Sequence, residues 1–156
     1  MRSEKLNSWI FSSKNIENIE AAKERLIWGF WDREAGEKFR RNWRTFIRLY
    51  NRIKPFDIVV FQIAKSGHIH AVGIVKEKYF DDQAPIWPDE KEKGQVLYPW
   101  RISFSNIIFS KTLITTHFIK VENYVDGYGI GELPEHDLRT ILNELQKRTD
   151  IELNFG

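Results

Sequence analysis

Residues Ile53–Pro88, IKPFDIVVFQIAKSGHIHAVGIVKEKYFDDQAPIWP, decide the fold. Lys54-Pro55-Phe56-Asp57 is a turn signal, because Pro55 fixes φ and Asp57 can bond nearby backbone. DIVVFQIA then reads as a strand: it is β-branched and aromatic, and short for a buried helix. Lys65-Ser66-Gly67 turns the chain, with Gly67 free to adopt positive φ, and HIHAVGIV returns as the partner strand. Simple alternation puts Ile69, Ala71 and Gly73 on one face and His68, His70, Val72 and Ile74 on the other. Past Asp81-Asp82-Gln83 the stretch ends on Pro85-Ile86-Trp87-Pro88. A tryptophan between two prolines in a polar loop has no evident core to enter, which marks it as a candidate ligand contact.

Outward from this hairpin, the N-terminal side supplies a strand and two helices. Ser8–Ser12 reads as a short buried strand. Asn15 is a candidate N-cap, and Ile19, Ala22 and Leu26 give the helix behind it a narrow apolar stripe that stops at Ile27-Trp28-Gly29, with Gly29 as the breaker. The spacing of Phe39, Trp43, Phe46, Ile47 and Tyr50 predicts a second helix over 37–52 with Trp43 in the core. On the C-terminal side, Asp89–Gly94 reads as a charged loop. RISFSNIIF and LITTHFIKV read as strands, Asn123–Gly131 as a surface loop, and Leu133-Pro134-Glu135 as the start of a last helix with Leu138, Ile141, Leu142 and Leu145 inward. IELNFG reads as a tail, a linker stub or a short last strand. This order predicts one α+β domain over 1–150, with a strongly curved or barrel-like mixed sheet flanked by helices, and a tail over 151–156.

Composition limits the function classes. The 156 residues, 42% hydrophobic and 29% charged, are enough for one core and unlike a disordered chain. No apolar run approaches a membrane span and no signal-peptide segment opens the chain, so the expectation is a cytoplasmic, prokaryotic intracellular protein that does not meet a membrane. With no cysteine, disulfides and thiolate chemistry are excluded. A net charge of +2 does not by itself argue for nucleic acid. Its distribution says more: Lys38, Arg40, Arg41, Arg44, Arg48, Arg52 and Lys54 crowd one stretch, although a solvated helix face explains that as simply.

Catalytic patterns are weak. His68-x-His70 places two imidazoles on one strand face but has no further ligand at a compelling spacing, so neither a metal nor a cofactor is expected. Gly127–Gly131 lacks the strand-loop-helix setting of a phosphate loop. Ser66-Gly67-His68 lacks an orienting acid. The remaining signal is aromatic. Six tryptophans are many for this length, and Trp28 and Trp87, from separate segments, could sandwich a flat ring such as a nucleobase. Core filling is the plain alternative.

At these residues the sequence resembles the YTH domain, a reader of N6-methyladenine, and its prokaryotic relative the EVE domain, both of PUA-like fold. The YTH likeness runs through Ser13-Lys14-Asn15-Ile16-Glu17-Asn18, Ile27-Trp28, Ser66-Gly67-His68 and Pro85-Ile86-Trp87. The EVE likeness runs through Ile53-Lys54-Pro55-Phe56-Asp57 (usually K-P-G-D), Tyr79–Asp82, Tyr98-Pro99-Trp100-Arg101 and Glu132-Leu133-Pro134. The resemblance implies that Trp28 and Trp87 wall a base cage, that Asn18 bonds the base edge, that the Gly29 backbone bonds the N6 group, and that Tyr98 or Trp31 closes the cage. Arg40, Arg41, Arg44 and Lys65 are the candidate phosphate contacts. The implied activity is non-enzymatic reading of methylated DNA (or RNA) by base flipping, as in specificity domains of restriction proteins fused to or associated with an AAA+ motor. An RNA-binding EVE/PUA-like protein that reads a modified cytosine or acts in RNA modification, and a PUA-like amidohydrolase, are the alternatives. An arginine that YTH domains set on RNA phosphate has no counterpart in Tyr128–Gly131.

Overall fold

The computed structural model describes residues 6–32, 37–64, 66, 68–110, 114–115, 122–125 and 128–155; for 37–41, 114–115, 122–124 and 155 it describes the backbone alone. The elements run β1 (Ser8–Ser13), α1 (Ile16–Arg25), β2 (Ile27–Phe30), α2 (Glu37–Arg52), β3 (Ile58–Ile63), β4 (His68–Phe80), α3 (Pro88–Lys93), β5 (Trp100–Ser110), β6 (Ile114–Thr115), β7 (Glu122–Val125), β8 (Ile130–Glu132), α4 (Glu135–Gln146) and β9 (Ile151–Phe155). The strands form one strongly curled half-barrel flanked by helices, in the order β2-β5-β4-β3-β1-β8-β7, with β6 on β4 and β9 on β5. Only β1 and β3 pair in parallel among the described ladders; the rest are antiparallel.

The curl follows from which faces are apolar. Its concave side encloses Trp9, Phe11, Phe30, Phe61 and Phe104, closed by Phe46, Leu49 and Tyr50 from α2. Its outer side packs Val60, Ile69 and Val72 beneath Ile141 and Leu145 of α4. Both faces are therefore covered, which suits the near-continuous apolar runs of β3 and β4. The alternation expected along β4 breaks at His70. Phe61 pairs with Ala71 but Gln62 with Ile69, so one residue bulges out. The phase inverts there: Ala71 stays on the concave side while Ile69 joins the layer under α4.

The second helix has the bounds that its periodicity predicts, and half-buried Trp43 packs on the edge of the core. Asn15 caps α1 through its side chain, which accepts from the Asn18 N–H at 2.9 Å. Three expectations are corrected. The first helix stops at Leu26 (φ 61°) rather than at Gly29, so Trp28 sits on an edge strand and not at a helix end. Leu26 bears that left-handed backbone because its side chain is buried in the core. The charged stretch after Trp87 is helical, since Pro88 and Glu90 hold the first and third positions of a helix start. Finally, the described part of 123–131 is two short paired strands and a turn, with Val125, Tyr128 and Ile130 buried, not a surface loop. Ile151–Phe155 is a strand on the edge of β5.

Two glycines pack at the site, and one turn anchors the start of β1. The Gly29 Cα faces Trp87 and Tyr98 so closely that a Cβ there would lie 2.7 Å from the Trp87 ring and from the Tyr98 carbonyl. Gly129 (φ +71°) lets its carbonyl accept the Ser12 N–H at 2.7 Å; a Cβ would meet the Ser12 oxygen at 2.4 Å. At the Lys54–Asp57 turn the fully buried Asp57 carboxylate accepts from the Lys54 N–H, the Asn7 N–H and the Trp9 indole, each at 3.0 Å. Phe56 beside it has φ +74° and is 70% exposed, a bulky residue where a glycine would be unstrained.

Candidate functional site

A cavity of about 260 Å³ opens between the end of β1, the start of α1, β2 and the segment joining β4 to β5. Trp28, Trp87, Tyr98 and Trp31 supply aromatic walls; Asn18, Ser12 and Ser13 supply polar ones; Gly29, Tyr128 and Gly129 complete the rim with Lys14. Each wall is placed by a different rule. Trp28 rides on β2, held by pairing with Ile102 of β5. Asn18 lies in the first turn of α1, where the Asn15 cap fixes the helix start. Trp87 and Tyr98 flank α3, and Tyr128 stacks on Phe46 of α2 with centroids 4.7 Å apart and planes at 12°.

The sequence-derived group Trp28, Trp87, Asn18, Gly29, Tyr98 and Trp31 therefore converges on a single cavity. The facing sandwich does not. The Trp28 and Trp87 rings lie 6.3 Å apart at 76°, edge to face. A heterocycle between parallel planes needs about 7 Å, twice the closest carbon contact of ~3.5 Å. Magnitudes explain the collapse: burying an indole contributes roughly 4–6 kcal/mol at 25 cal/mol per Å². Leaving its N–H unbonded costs about 1–3 kcal/mol. Trp28 (6% exposed) and Trp87 (1%) accept that cost, for both Nε1 atoms are buried without a partner among the described residues. A flat ligand would thus stack on one indole and meet the edge of the other.

The polar side is equally specific. The Tyr98 hydroxyl donates to Asp89 Oδ2 in a short contact. Burial, then Asp89, push that phenol far above its ordinary value, with a hydrogen bond from Asn18 pulling the other way; at neutral pH it is a donor and not a base. Lys14 sets its amine 5.6 Å from the Trp31 ring and 3.9 Å from Asp89 at the mouth. Among the described residues no histidine or carboxylate lines the cavity. Nor does any group of three or more histidines, cysteines or carboxylates sit where it could hold a metal ion. His70 is half-buried, and burial with Lys23 lowers its pKa.

Of the phosphate candidates, Arg44 is exposed on α2. The side chains of Arg40 and Arg41, and Lys65 altogether, lie outside the described residues. Sequence reasoning missed Lys14 and Tyr128 on the rim, and Glu90 and Arg101, which bond the segment that carries Trp87 and Tyr98. The signal for Glu90 was present: Trp87-Pro88-Asp89-Glu90 is a helix start with Pro first and Glu third.

No family model matches the chain. Among curated proteins, "Uncharacterized protein MJ1369" of Methanocaldococcus jannaschii is 57% identical over 148 residues, covering 95% of this chain and 96% of that protein. The chain belongs to that protein's family. Among solved structures, the YTH domain of Zygosaccharomyces rouxii MRB1, in complex with N6-methyladenosine RNA, superposes at a TM-score of 0.59 with 15% identity over 93% of this chain and 90% of that one. The YTH domain of Toxoplasma CPSF4, in complex with a 7-mer m6A-modified RNA, superposes at 0.55 with 14% identity over 92% and 93%. The chain has the fold of these YTH domains. No helix among the described residues is long and apolar enough to cross a membrane.

Proposed function

We propose that the chain is a non-enzymatic reader of modified nucleic acid that takes a single methylated base, N6-methyladenine first among candidates, into the Trp28–Trp87–Tyr98 cavity. The observation that carries this is a heterocycle-sized aromatic cavity beside Asn18 with two buried indole N–H groups that have no partner among the described residues. The similarity in fold to domains solved with N6-methyladenosine RNA supports the choice of base. Lack of a histidine or carboxylate among the described lining residues favours a reader over an amidohydrolase.

Energetically, base extrusion costs a few kcal/mol in duplex and less in single strands. Stacking on Trp28 or Trp87 returns on the order of 1–3 kcal/mol. The methyl group adds roughly 0.8 kcal/mol by burial, and an unmethylated amine leaves one more donor unpaired in a dry site. Discrimination of about tenfold or more follows from these sums. Lys14 and Arg44 meet the backbone phosphates. DNA is our preferred polymer, and RNA with the same base fits the cavity equally. In a modification-dependent restriction system such a domain would supply specificity to an associated AAA+ motor.

The test is an equilibrium titration against matched DNA and RNA oligonucleotides, each with and without one N6-methyladenine. Tighter binding of a methylated strand by tenfold or more supports the reading. Equal affinity for methylated and unmethylated strands, or turnover of the modified base, overturns it.

A further inference from the structure

Trp87 and Tyr98 stand on a segment, 81–99, whose only regular structure is the six-residue α3. Two buried, opposite charges hold it. The Glu90 carboxylate, 0% exposed, accepts four backbone N–H groups: Ile86 (2.8 Å) and Trp87 (3.3 Å) on one oxygen, Leu97 (2.7 Å) and Tyr98 (3.0 Å) on the other. One side chain therefore ties the entry and the exit of the segment together. Arg101, also 0% exposed, donates to the Tyr98 carbonyl (3.0 Å) and the Ala84 carbonyl (2.6 Å). Its other contacts are Asp81 at 3.1 Å and Glu90 at 3.5 Å, and its guanidinium carbon lies 5.3 Å from the Trp87 ring centroid.

We propose that Glu90 and Arg101 are positioning residues for the base cavity, setting the angle of Trp87 and Tyr98 against Trp28. The inference rests on the reader function proposed above. It follows from where the bonds go. Glu90 bonds the backbone of both aromatic walls, and Arg101 packs over one of them, yet neither residue lines the cavity. Removing a buried pair's partner leaves an unpaired charge, so the pair acts as a unit. Geometry held within about half an ångström is what an aromatic cage needs to tell a methyl from a hydrogen.

The test uses Glu90→Gln, which keeps the shape but replaces one accepting oxygen with a donor. Three readouts are compared with wild type: affinity for a methylated oligonucleotide, affinity for its unmethylated twin, and the fluorine spectrum of protein labelled with 5-fluorotryptophan, the Trp87 resonance being assigned with Trp87→Phe. The expected result is a loss of tenfold or more on the methylated strand alone, with the Trp87 resonance shifted or split before any ligand is added. Equal losses on both strands, an unchanged methylated affinity or an unmoved Trp87 resonance overturns the proposal. If Glu90→Gln does not fold, Arg101→Lys, which keeps the charge and loses the forked donors, takes its place with the same criteria. If wild type itself prefers no methylated strand, the reader function is what fails, and the fluorine spectrum alone decides the positioning role.

Discussion

Trp9 and Trp87 are equally buried, at 0% and 1% exposure, and each has an arginine over its ring, at 5.4 and 5.3 Å. They differ at one atom. The Trp9 indole donates to Asp57 at 3.0 Å, whereas the Trp87 indole has no acceptor among the described residues and its ring lines a cavity. A buried tryptophan with its N–H satisfied is structural material. One left unsatisfied beside a cavity carries a cost that a water or a ligand held there relieves. Trp28 falls on the same side of this division as Trp87.

Substitutions can break or sharpen that contrast. Trp87→Ala or Trp28→Ala should weaken binding of a methylated oligonucleotide by about fivefold to a hundredfold, matching 1–3 kcal/mol of stacking. Trp9→Phe should leave that affinity alone and instead lower unfolding stability by about 1–3 kcal/mol, because buried Asp57 loses a donor; fluorescence titration and urea melts separate the two. Gly29→Ala comes next. Its methyl group would meet the Tyr98 carbonyl and the Trp87 ring at 2.7 Å, so Trp87 must move, and methylated-base preference should fall about tenfold in the same titration, in line with the cost of overpacking. A smaller effect is expected at Arg44. Arg44→Gln should reduce the slope of log affinity against log salt by about 0.7–0.9 and leave the methyl preference intact. The smallest concerns Phe56, far from this contrast. Phe56→Gly should raise stability by up to about 1 kcal/mol, left-handed strain relieved against glycine's added chain entropy, with no change in affinity.

What could be read in advance divides along similar lines. Residues whose burial makes a pattern were legible: the stripe Trp43–Phe46–Tyr50 of α2, the continuous apolar run of β3, and the apolar face of α4. So was part of the cavity lining, because the resemblance rests on short motifs carried by some of the walls themselves. What escaped depends on single atoms or single residues. Leu26 is a good helix former, yet it ends α1 in a left-handed turn and moves Trp28 onto a strand. One bulged histidine inverts the phase of β4. The edge-on packing of Trp28 and Trp87 follows from a balance of indole burial against hydrogen bonding, which no spacing encodes. Glu90 reads as part of a charged loop and Arg101 as the first residue of a strand, and only the closed segment shows both fully buried.

The most direct measurement is the indole N–H spectrum of ¹⁵N-tryptophan-labelled protein during titration with a strand bearing one N6-methyladenine, the resonances assigned by single Trp→Phe substitutions. The Trp28 and Trp87 signals should move to saturation while the Trp9 signal, already bonded to Asp57, stays in place. Trp28 and Trp87 signals that hold still while the strand binds, or a Trp9 signal that moves as far as theirs, would contradict the assignment of this cavity as the base site.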